Sequence, residues 1–230
     1  MIRLDVFWDP ICPWCYIGKT LLDRALESRP QHPFAIAWHP FQLNPDMPPE
    51  GRDRQAYLEA KFGGPERAQM VYGKIAEAAR AAGVGIDFER ITRTPNTLDA
   101  LRLTHWAEIE GKQSLVAGAL FRAYFREGRD IGDKVTLATI AGSIGMDAAA
   151  TLRLLEGEAD VDAIRARDAH ARARGIDAVP TFIIANQHVL PGAQPVKLWQ
   201  QVIDEIGTLG DLDEQQEDDR QEGAAADSGG

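Results

Sequence analysis

Two cysteines, three residues apart, are the only thiols of the chain. They are Cys12 and Cys15 in the stretch DPICPWCYIG, which begins at Asp9. A spacing of three brings two side chains to one side of a helix, within reach of a disulfide bond. If a helix starts here, Cys12 is its N-cap and Pro13 takes the favoured first position. Such a pair can cycle between dithiol and disulfide.

The two thiols are expected to have different roles. A sulfur at the N-cap faces unpaired amide N–H groups and the positive end of the helix dipole, and both favour the thiolate. We therefore predict that Cys12 is the nucleophile. Cys15 lies one turn further in, shielded by Trp14, and is predicted to be the resolving thiol that closes the disulfide and releases the substrate.

Three alternatives to redox chemistry remain open for this spacing. The pair can arise by chance, and it can be half of a zinc site. Zinc needs four ligands, however, and without a second C-x-x-C only His39 and His105 are left to complete the set. A structural crosslink fits neither the short loop nor a reducing compartment. We predict no metal site and no bound cofactor.

Size and charge limit the classes of function. With 230 residues the chain can build a core without a disulfide or a metal, and 44% hydrophobic residues are typical of a folded protein. Of the formal net charge of -10, eight acidic residues and one arginine in 211–230 account for -7. Residues 208–230 lack periodic apolar positions and are predicted to be a disordered acidic tail. No basic face is available for a nucleic-acid partner.

The expected compartment is the cytoplasm. The first ten residues, MIRLDVFWDP, lack the charged start and apolar run of a secretion signal. No segment approaches the roughly 18 apolar residues of a membrane span, so no membrane association is expected. In the cytoplasm ordinary thiols stay reduced, which disfavours a permanent disulfide.

The elements that position the cysteines follow from apolar periodicity. IRLDVFW predicts a strand, the segment from Pro13 to just before Pro30 a helix, and FAIAWHPFQL a second strand. Residues 52–175 show six or seven helical segments separated by turn signals such as FGGPE and AAGVG. The last part predicts a strand at 181–185, a short second strand and a helix from about Pro195. The chain thus begins β-α-β and finishes β-β-α.

This order resembles the thioredoxin fold, in which a cis-proline loop faces a C-x-x-C pair. With its long central insertion the chain resembles the DsbA-like branch, and most closely the FrnE-like dithiol-disulfide isomerase group. The stretches that carry the resemblance are CPWCYIG at 12–18, FQLNP at 41–45, PNT at 95–97, VPTF at 179–182 and GAQ at 192–194.

The resemblance implies an α/β, thioredoxin-like fold with a large all-helical insertion between the βαβ and ββα halves. Residues 1–45 and 176–207 would form the thioredoxin-like domain, 46–175 the insertion and 208–230 the tail. The implied partners are protein or small-molecule thiols and disulfides, with glutathione as a reductant. The oligomeric state is expected to be a monomer or a homodimer.

The resemblance also implies a set of site residues. Cys12 attacks, Cys15 resolves, and the Pro180 loop aligns an extended substrate strand beside the disulfide by backbone pairing. The residues expected to contact the substrate are Pro13, Trp14, Val179, Thr181 and Asn96. For Asn96, a role as the N-cap of the next helix is an equal alternative.

Aromatic residues near the cysteines are further candidates. Trp8, Trp14 and Phe41 could form an apolar floor for the substrate, or simply belong to the core. His39 could lie near the thiols and shift their ionisation, or have a structural role only.

Two competing functions remain open. 2-Hydroxychromene-2-carboxylate isomerases and kappa-class glutathione transferases share the scaffold, but they typically replace one cysteine and carry an acidic Asp-Arg pair before the last helix. This chain keeps both thiols and has Gly192, Ala193 and Gln194 at that place. A redox-independent holdase that binds unfolded chains through the insertion is the other alternative.

Overall fold

The first 40 residues form a β-α-β unit in the computed structural model, which describes residues 1–207. The unit consists of β1 (Ile2–Trp8), α1 (Pro13–Ser28) and β2 (Phe34–Pro40). Helix α1 starts with Pro13 and stops shortly before Pro30, because proline fits the first turn of a helix but not its interior. The predicted strands and helix are confirmed here; the predicted acidic tail lies outside the described residues.

The insertion is helical except for one short ribbon. Its elements are β3 (Arg52–Asp53), α2 (Arg54–Phe62), α3 (Pro65–Ala81), a 3₁₀ turn (Phe88–Arg90), β4 (Arg93–Thr94), α4 (Leu98–Ile109), α5 (Gln113–Phe125), α6 (Lys134–Ser143), α7 (Ala148–Glu156) and α8 (Val161–Ala173). Aspartates at 53, 133 and 147 accept a backbone N–H three residues on and so cap α2, α6 and α7. The antiparallel ribbon of β3 and β4 was not predicted. Within 1–207 every helix is too short or too polar to span a bilayer.

The C-terminal half completes a four-stranded sheet. It contributes β5 (Thr181–Ile184), β6 (His188–Pro191) and a helix, α9, at 196–207. The sheet order is β2-β1-β5-β6, with β1 parallel to β2 and antiparallel to β5. Phe7 near the end of β1 pairs with Thr181 at the start of β5. This register brings the loop after β1 and the loop before β5 to the same end of the strands.

The sheet and the insertion share one apolar core. Trp8 is fully buried and makes edge-on contacts at 5.1 Å with Trp38 of β2 and Phe121 of α5. Tyr16 of α1 stacks on the same Phe121 ring at 5.2 Å. On the opposite face of the sheet, Phe7 packs in a smaller cluster with residues at the end of α8. Helix α1, which carries the cysteines, is therefore fixed by both halves and by the insertion.

Candidate active site

Cys12 and Cys15 lie at the start of α1, as the sequence predicts. Cys12 is the N-cap, and its carbonyl accepts the Cys15 and Tyr16 amides at 3.1 and 3.2 Å. Both cysteines are free and buried, with 4% and 2% of their surface exposed. No side chain caps this helix end, so the first-turn N–H groups remain available to a charge on Cys12.

The environment of Cys15 makes it the poorer acid. Burial raises the pKa of the Cys15 thiol well above its ordinary value, and the contact with Cys12 raises it further. A backbone hydrogen bond from Asp9 opposes this effect, whereas the negative charge of Asp9 adds to it. Cys15 therefore stays protonated at neutral pH, which leaves Cys12 as the thiol available for attack.

The segment around Pro180 faces Cys12. The Val179–Pro180 peptide bond is cis, and the Cys12 thiol donates to the Val179 carbonyl at 3.5 Å. Gly192 N donates to the Pro180 carbonyl at 2.7 Å, which ties the loop to the end of β6. A Cβ at Gly18 would lie 3.1 Å from Pro180 Cγ, so the loop sits directly on α1.

The other residues predicted to contact the substrate differ in their exposure. Trp14 is 39% exposed beside the cysteines, whereas Pro13 and Thr181 are buried. The Thr181 hydroxyl donates to the Ala178 carbonyl at 2.8 Å and so stabilises the loop that contains Pro180. Of these predicted residues beside the cysteines, Trp14 and the half-buried Val179 are the two that offer surface.

Asn96 fixes loops in the structure. Its side chain donates to the Met47 carbonyl at 2.5 Å and accepts the Leu98 amide at 2.9 Å. Asn96 is not the N-cap of α4, which was the alternative role for this residue. The helix begins at Leu98, so its N-cap is Thr97. Within residues 1–207, the hydrogen bonds of its side chain go to Gln42, Met47 and Leu98, and none reaches a cysteine.

Sequence reasoning missed a buried carboxyl group, Asp9, beneath the cysteines. Its Oδ2 accepts from Leu43 N at 2.6 Å and from the Thr97 hydroxyl at 3.4 Å, while Oδ1 accepts from Ile11 N at 3.1 Å. The side chain thus joins the loop before Cys12, the segment after β2 and the start of α4. Its position three residues before the first cysteine, next to Pro10, was the only available signal.

A second buried network holds the segment after β2. Gln42 N donates to Asp168 Oδ1 at 2.7 Å, and the Gln42 carbonyl accepts from Arg172 Nη2. The Gln42 amide group donates to Asn96 Oδ1 at 3.3 Å. Helix α8 therefore anchors, through Asp168 and Arg172, the segment that donates to Asp9.

Protonation of Asp9 should change the free energy of unfolding. Burial raises the pKa of Asp9 from 3.8 to about 6, against the lowering effect of its hydrogen bonds. The folded state then holds the proton more tightly than the unfolded state, so the stabilisation is full below pH 4 and is lost as pH rises through 6. Two units correspond to roughly 3 kcal/mol.

We compare the free energy of unfolding of wild type with that of Asp9→Asn, and expect the difference to be about 2.5 kcal/mol larger at pH 4 than at pH 7. Urea unfolding at both pH values measures it. Asp162→Asn, at a fully exposed side chain, controls for the loss of a carboxylate. An unchanged difference would show that the carboxyl group titrates normally in the fold.

For Trp8, Phe41 and His39 the structure decides between the alternatives that the sequence left open. Trp8 and Phe41 are not a substrate floor, because 0% and 2% of their surface is exposed and their rings belong to the core. His39 is not near the thiols: its ring stacks on Phe7 at 4.9 Å, on the sheet face opposite the cysteines. Its partners there are Asp5 and Arg167.

The described residues contain no candidate metal centre. Within 1–207, no three His, Cys, Asp or Glu side chains are grouped closely enough to hold an ion. The zinc alternative, with His39 and His105 beside the cysteines, therefore lacks its ligand set in this part of the chain.

Comparisons with known proteins agree with this geometry. The family model described as DSBA-like thioredoxin domain matches residues 3–204. YwbO, an uncharacterized protein of Bacillus subtilis strain 168, is 30% identical over 203 residues, which cover 88% of this chain and 96% of YwbO.

Solved structures show the same likeness. A probable DsbA oxidoreductase from Streptomyces coelicolor is 28% identical, with a TM-score of 0.78 over 89% of each chain. The cytosolic disulfide reductase DsbM from Pseudomonas aeruginosa, solved with GSH, is 19% identical, with a TM-score of 0.66 over 88% of this chain and 98% of DsbM. At that identity the second likeness concerns the fold alone. The predicted thioredoxin-like fold is confirmed, and the chain belongs to the DSBA-like thioredoxin domain family.

Proposed function

We propose that the protein is a thiol-disulfide oxidoreductase that cycles the Cys12–Cys15 pair. The observation that carries the proposal is the position of Cys12, which lies at the open end of α1 with Cys15 behind it and the Val179 carbonyl 3.5 Å away. A thiol used only for packing would not need a helix N-terminus on one side and a backbone acceptor on the other.

The reaction proceeds in two exchanges. The Cys12 thiolate attacks one sulfur of a substrate disulfide, which forms a mixed disulfide and releases the first substrate thiolate. Cys15 then loses its proton and attacks Cys12 Sγ, which closes the Cys12–Cys15 disulfide and releases the second substrate thiol. The pair has transferred two electrons to the substrate. Two molecules of glutathione return the pair to the dithiol, and the oxidative direction is the reverse sequence.

Substrate recognition is assigned to the backbone of Val179. Once Cys12 ionises or enters a disulfide, its proton no longer occupies the Val179 carbonyl, which can then accept from a substrate amide. The exposed Trp14 ring supplies an apolar contact beside the reacting sulfur. Backbone pairing of this kind predicts loose selectivity among protein and small-molecule disulfides. The proposed compartment is the cytoplasm, where glutathione is available.

A redox titration tests the proposal. The disulfide fraction of the pair is measured by alkylation and mass spectrometry across glutathione buffers of graded potential. A reversible intramolecular disulfide, with a midpoint between about -270 and -120 mV, is the expected result. A stable glutathione adduct on Cys12 would instead favour a glutathione-dependent isomerase or transferase. If the Cys12→Ser, Cys15→Ser double variant still suppressed client aggregation while the pair never closed, the holdase function would be favoured.

The contact between α1 and the Pro180 loop yields a further prediction. Gly18→Ala places a methyl group 3.1 Å from Pro180 Cγ, so the Pro180 ring, which belongs to the loop facing Cys12, must shift by a few tenths of an ångström. We expect disulfide turnover to fall on the order of tenfold, because small displacements of reacting groups have large rate effects. Turnover of an insulin-type disulfide substrate, with circular dichroism to verify folding, measures it.

Gly73→Ala in α3 is the matched control. Its added methyl group meets no described atom within 4 Å beyond its own helix and its chain neighbours, and alanine favours a helix over glycine. Turnover should stay at the wild-type rate. Equal rates in all three proteins would mean that the loop position has no influence on the reaction.

A further inference from the structure

A cavity of about 490 Å³ lies on the sheet face opposite the cysteines, between β1 and α8. Phe7 and Ile183 form its apolar wall. Its charged lining comes from Arg3 of β1 and from the α8 region, where Arg167 and Arg174 face it. None of these residues has a part in the proposed thiol chemistry.

The charge of this cavity is opposite to that of the whole chain. Three arginines line it against one carboxylate, Asp5, although the chain carries a formal net charge of -10. Asp5 Oδ1 already accepts from Arg3 Nε at 2.7 Å and contacts His39 Nε2 at 2.5 Å. Arg167 and Arg174 are therefore in excess of the negative charge that lines the cavity.

Arg167 is held in place by two imidazoles. Its Nη1 lies 2.9 Å from His105 Nδ1, and its Nη2 lies 3.3 Å from His39 Nδ1. A guanidinium keeps its protons, so each Nδ1 must be the acceptor in these contacts. Burial lowers the pKa of His39; the contact with Asp5 opposes this effect and the charge of Arg167 adds to it. Glu108, half-exposed at 3.6 Å, compensates the charge only weakly.

Helix stability alone does not account for this grouping. Arg167, His170 and Arg174 follow a spacing of three and four, which places them on one face of α8 and its C-cap. Cations near a helix C-terminus interact favourably with the helix dipole, and this would explain Arg174 by itself. It does not explain Arg167, which lies in the middle of α8, outside the last turn where the dipole acts.

We propose that this cavity binds a phosphate-bearing small molecule. The anionic group is held by Arg167 and Arg174, and the body of the ligand packs on Phe7 and Ile183. Guanidinium groups match phosphate oxygens in charge and in geometry. The volume lies in the range of small-molecule sites, roughly 300 to 1,000 Å³. The site is separate from the cysteines and does not depend on the proposed redox function.

Calorimetric titration of the full chain, at constant ionic strength, tests this site with two probes, inorganic pyrophosphate and ADP. We expect saturable binding at one site, weakened about tenfold or more in Arg167→Gln and in Arg174→Gln, because each change removes a charged hydrogen-bond donor. Arg165→Gln is the matched control. It lies on the same helix, with 63% of its side chain exposed, and outside this cavity.

Each outcome decides the proposal. Tighter binding of ADP than of pyrophosphate supports an organic phosphate, and equal binding supports free phosphate as the source. Absence of saturable binding for both probes overturns the site. An equal loss in Arg165→Gln also overturns it, because the effect would then be general electrostatics. Should Arg167→Gln unfold, the exposed Arg174→Gln variant decides alone.

Discussion

Replacing Cys12 with serine should abolish turnover of a disulfide substrate, with a loss on the order of 10³-fold or more. A serine hydroxyl is not ionised at neutral pH and cannot form the mixed disulfide. Cys15 cannot take over, because burial raises the pKa of its thiol well above the ordinary value. Release of substrate thiols under excess reductant, compared with wild type, measures the loss.

Cys15→Ser is the matched variant, since it has the same chemical change one helical turn away. Here the first exchange should proceed and the second should not, so one equivalent of substrate thiol is released and the other half stays on Cys12. Intact mass spectrometry detects the adduct. Multiple turnovers by Cys15→Ser without added glutathione would contradict the two-thiol mechanism.

Replacing Arg102 with methionine should lower the free energy of unfolding by about 3 to 5 kcal/mol. Only 1% of this arginine is exposed. Its guanidinium pairs with Asp99 at 2.6 Å and donates to the carbonyls of Ala159, Leu154 and Gly157 at 2.6 to 2.8 Å. Methionine fills similar space but leaves these carbonyls and the Asp99 carboxylate without their donor.

Arg153→Met, at an exposed position on α7, controls for the loss of a charge and should stay within about 0.5 kcal/mol of wild type. Urea unfolding of the three proteins gives the comparison. A loss below about 1 kcal/mol in Arg102→Met would show that water replaces the guanidinium at those carbonyls. Because Arg102 lies on α4, the same anchor also fixes the helix whose N-cap, Thr97, reaches Asp9.

Local signals were sufficient for most of the fold. The strand IRLDVFW, the N-cap at Cys12 and the helical spacing of the insertion each act over a few residues, and the structure agrees with them. The ribbon of β3 and β4 was missed because each strand has only two residues, too few to show a period of two. The narrower FrnE-like resemblance stays a prediction.

Sequence reasoning found those site residues that lie in short sequence motifs, and missed those that meet only in the folded chain. The C-x-x-C spacing identified both thiols, and the Val-Pro-Thr stretch located the facing loop. Asp168 was not found as a partner of Gln42 because the two are 126 residues apart and no pattern links them. For Trp8 both alternatives stayed open for another reason: an aromatic side chain next to a site has the same sequence signature whether it lines a surface or fills a core.

The contact between Cys12 and Val179 joins residues 167 positions apart. On the ribosome, at about 5 to 20 residues per second, roughly 10 to 30 s separate the synthesis of the two. During that interval β5 does not exist, so β1 has no neighbour on that side and Cys12 has no loop over it. The nascent chain therefore displays its two thiols to oxidants and to other emerging cysteines before the fold can shelter them. Newly made molecules should depend on the reducing capacity of their surroundings more than mature ones do.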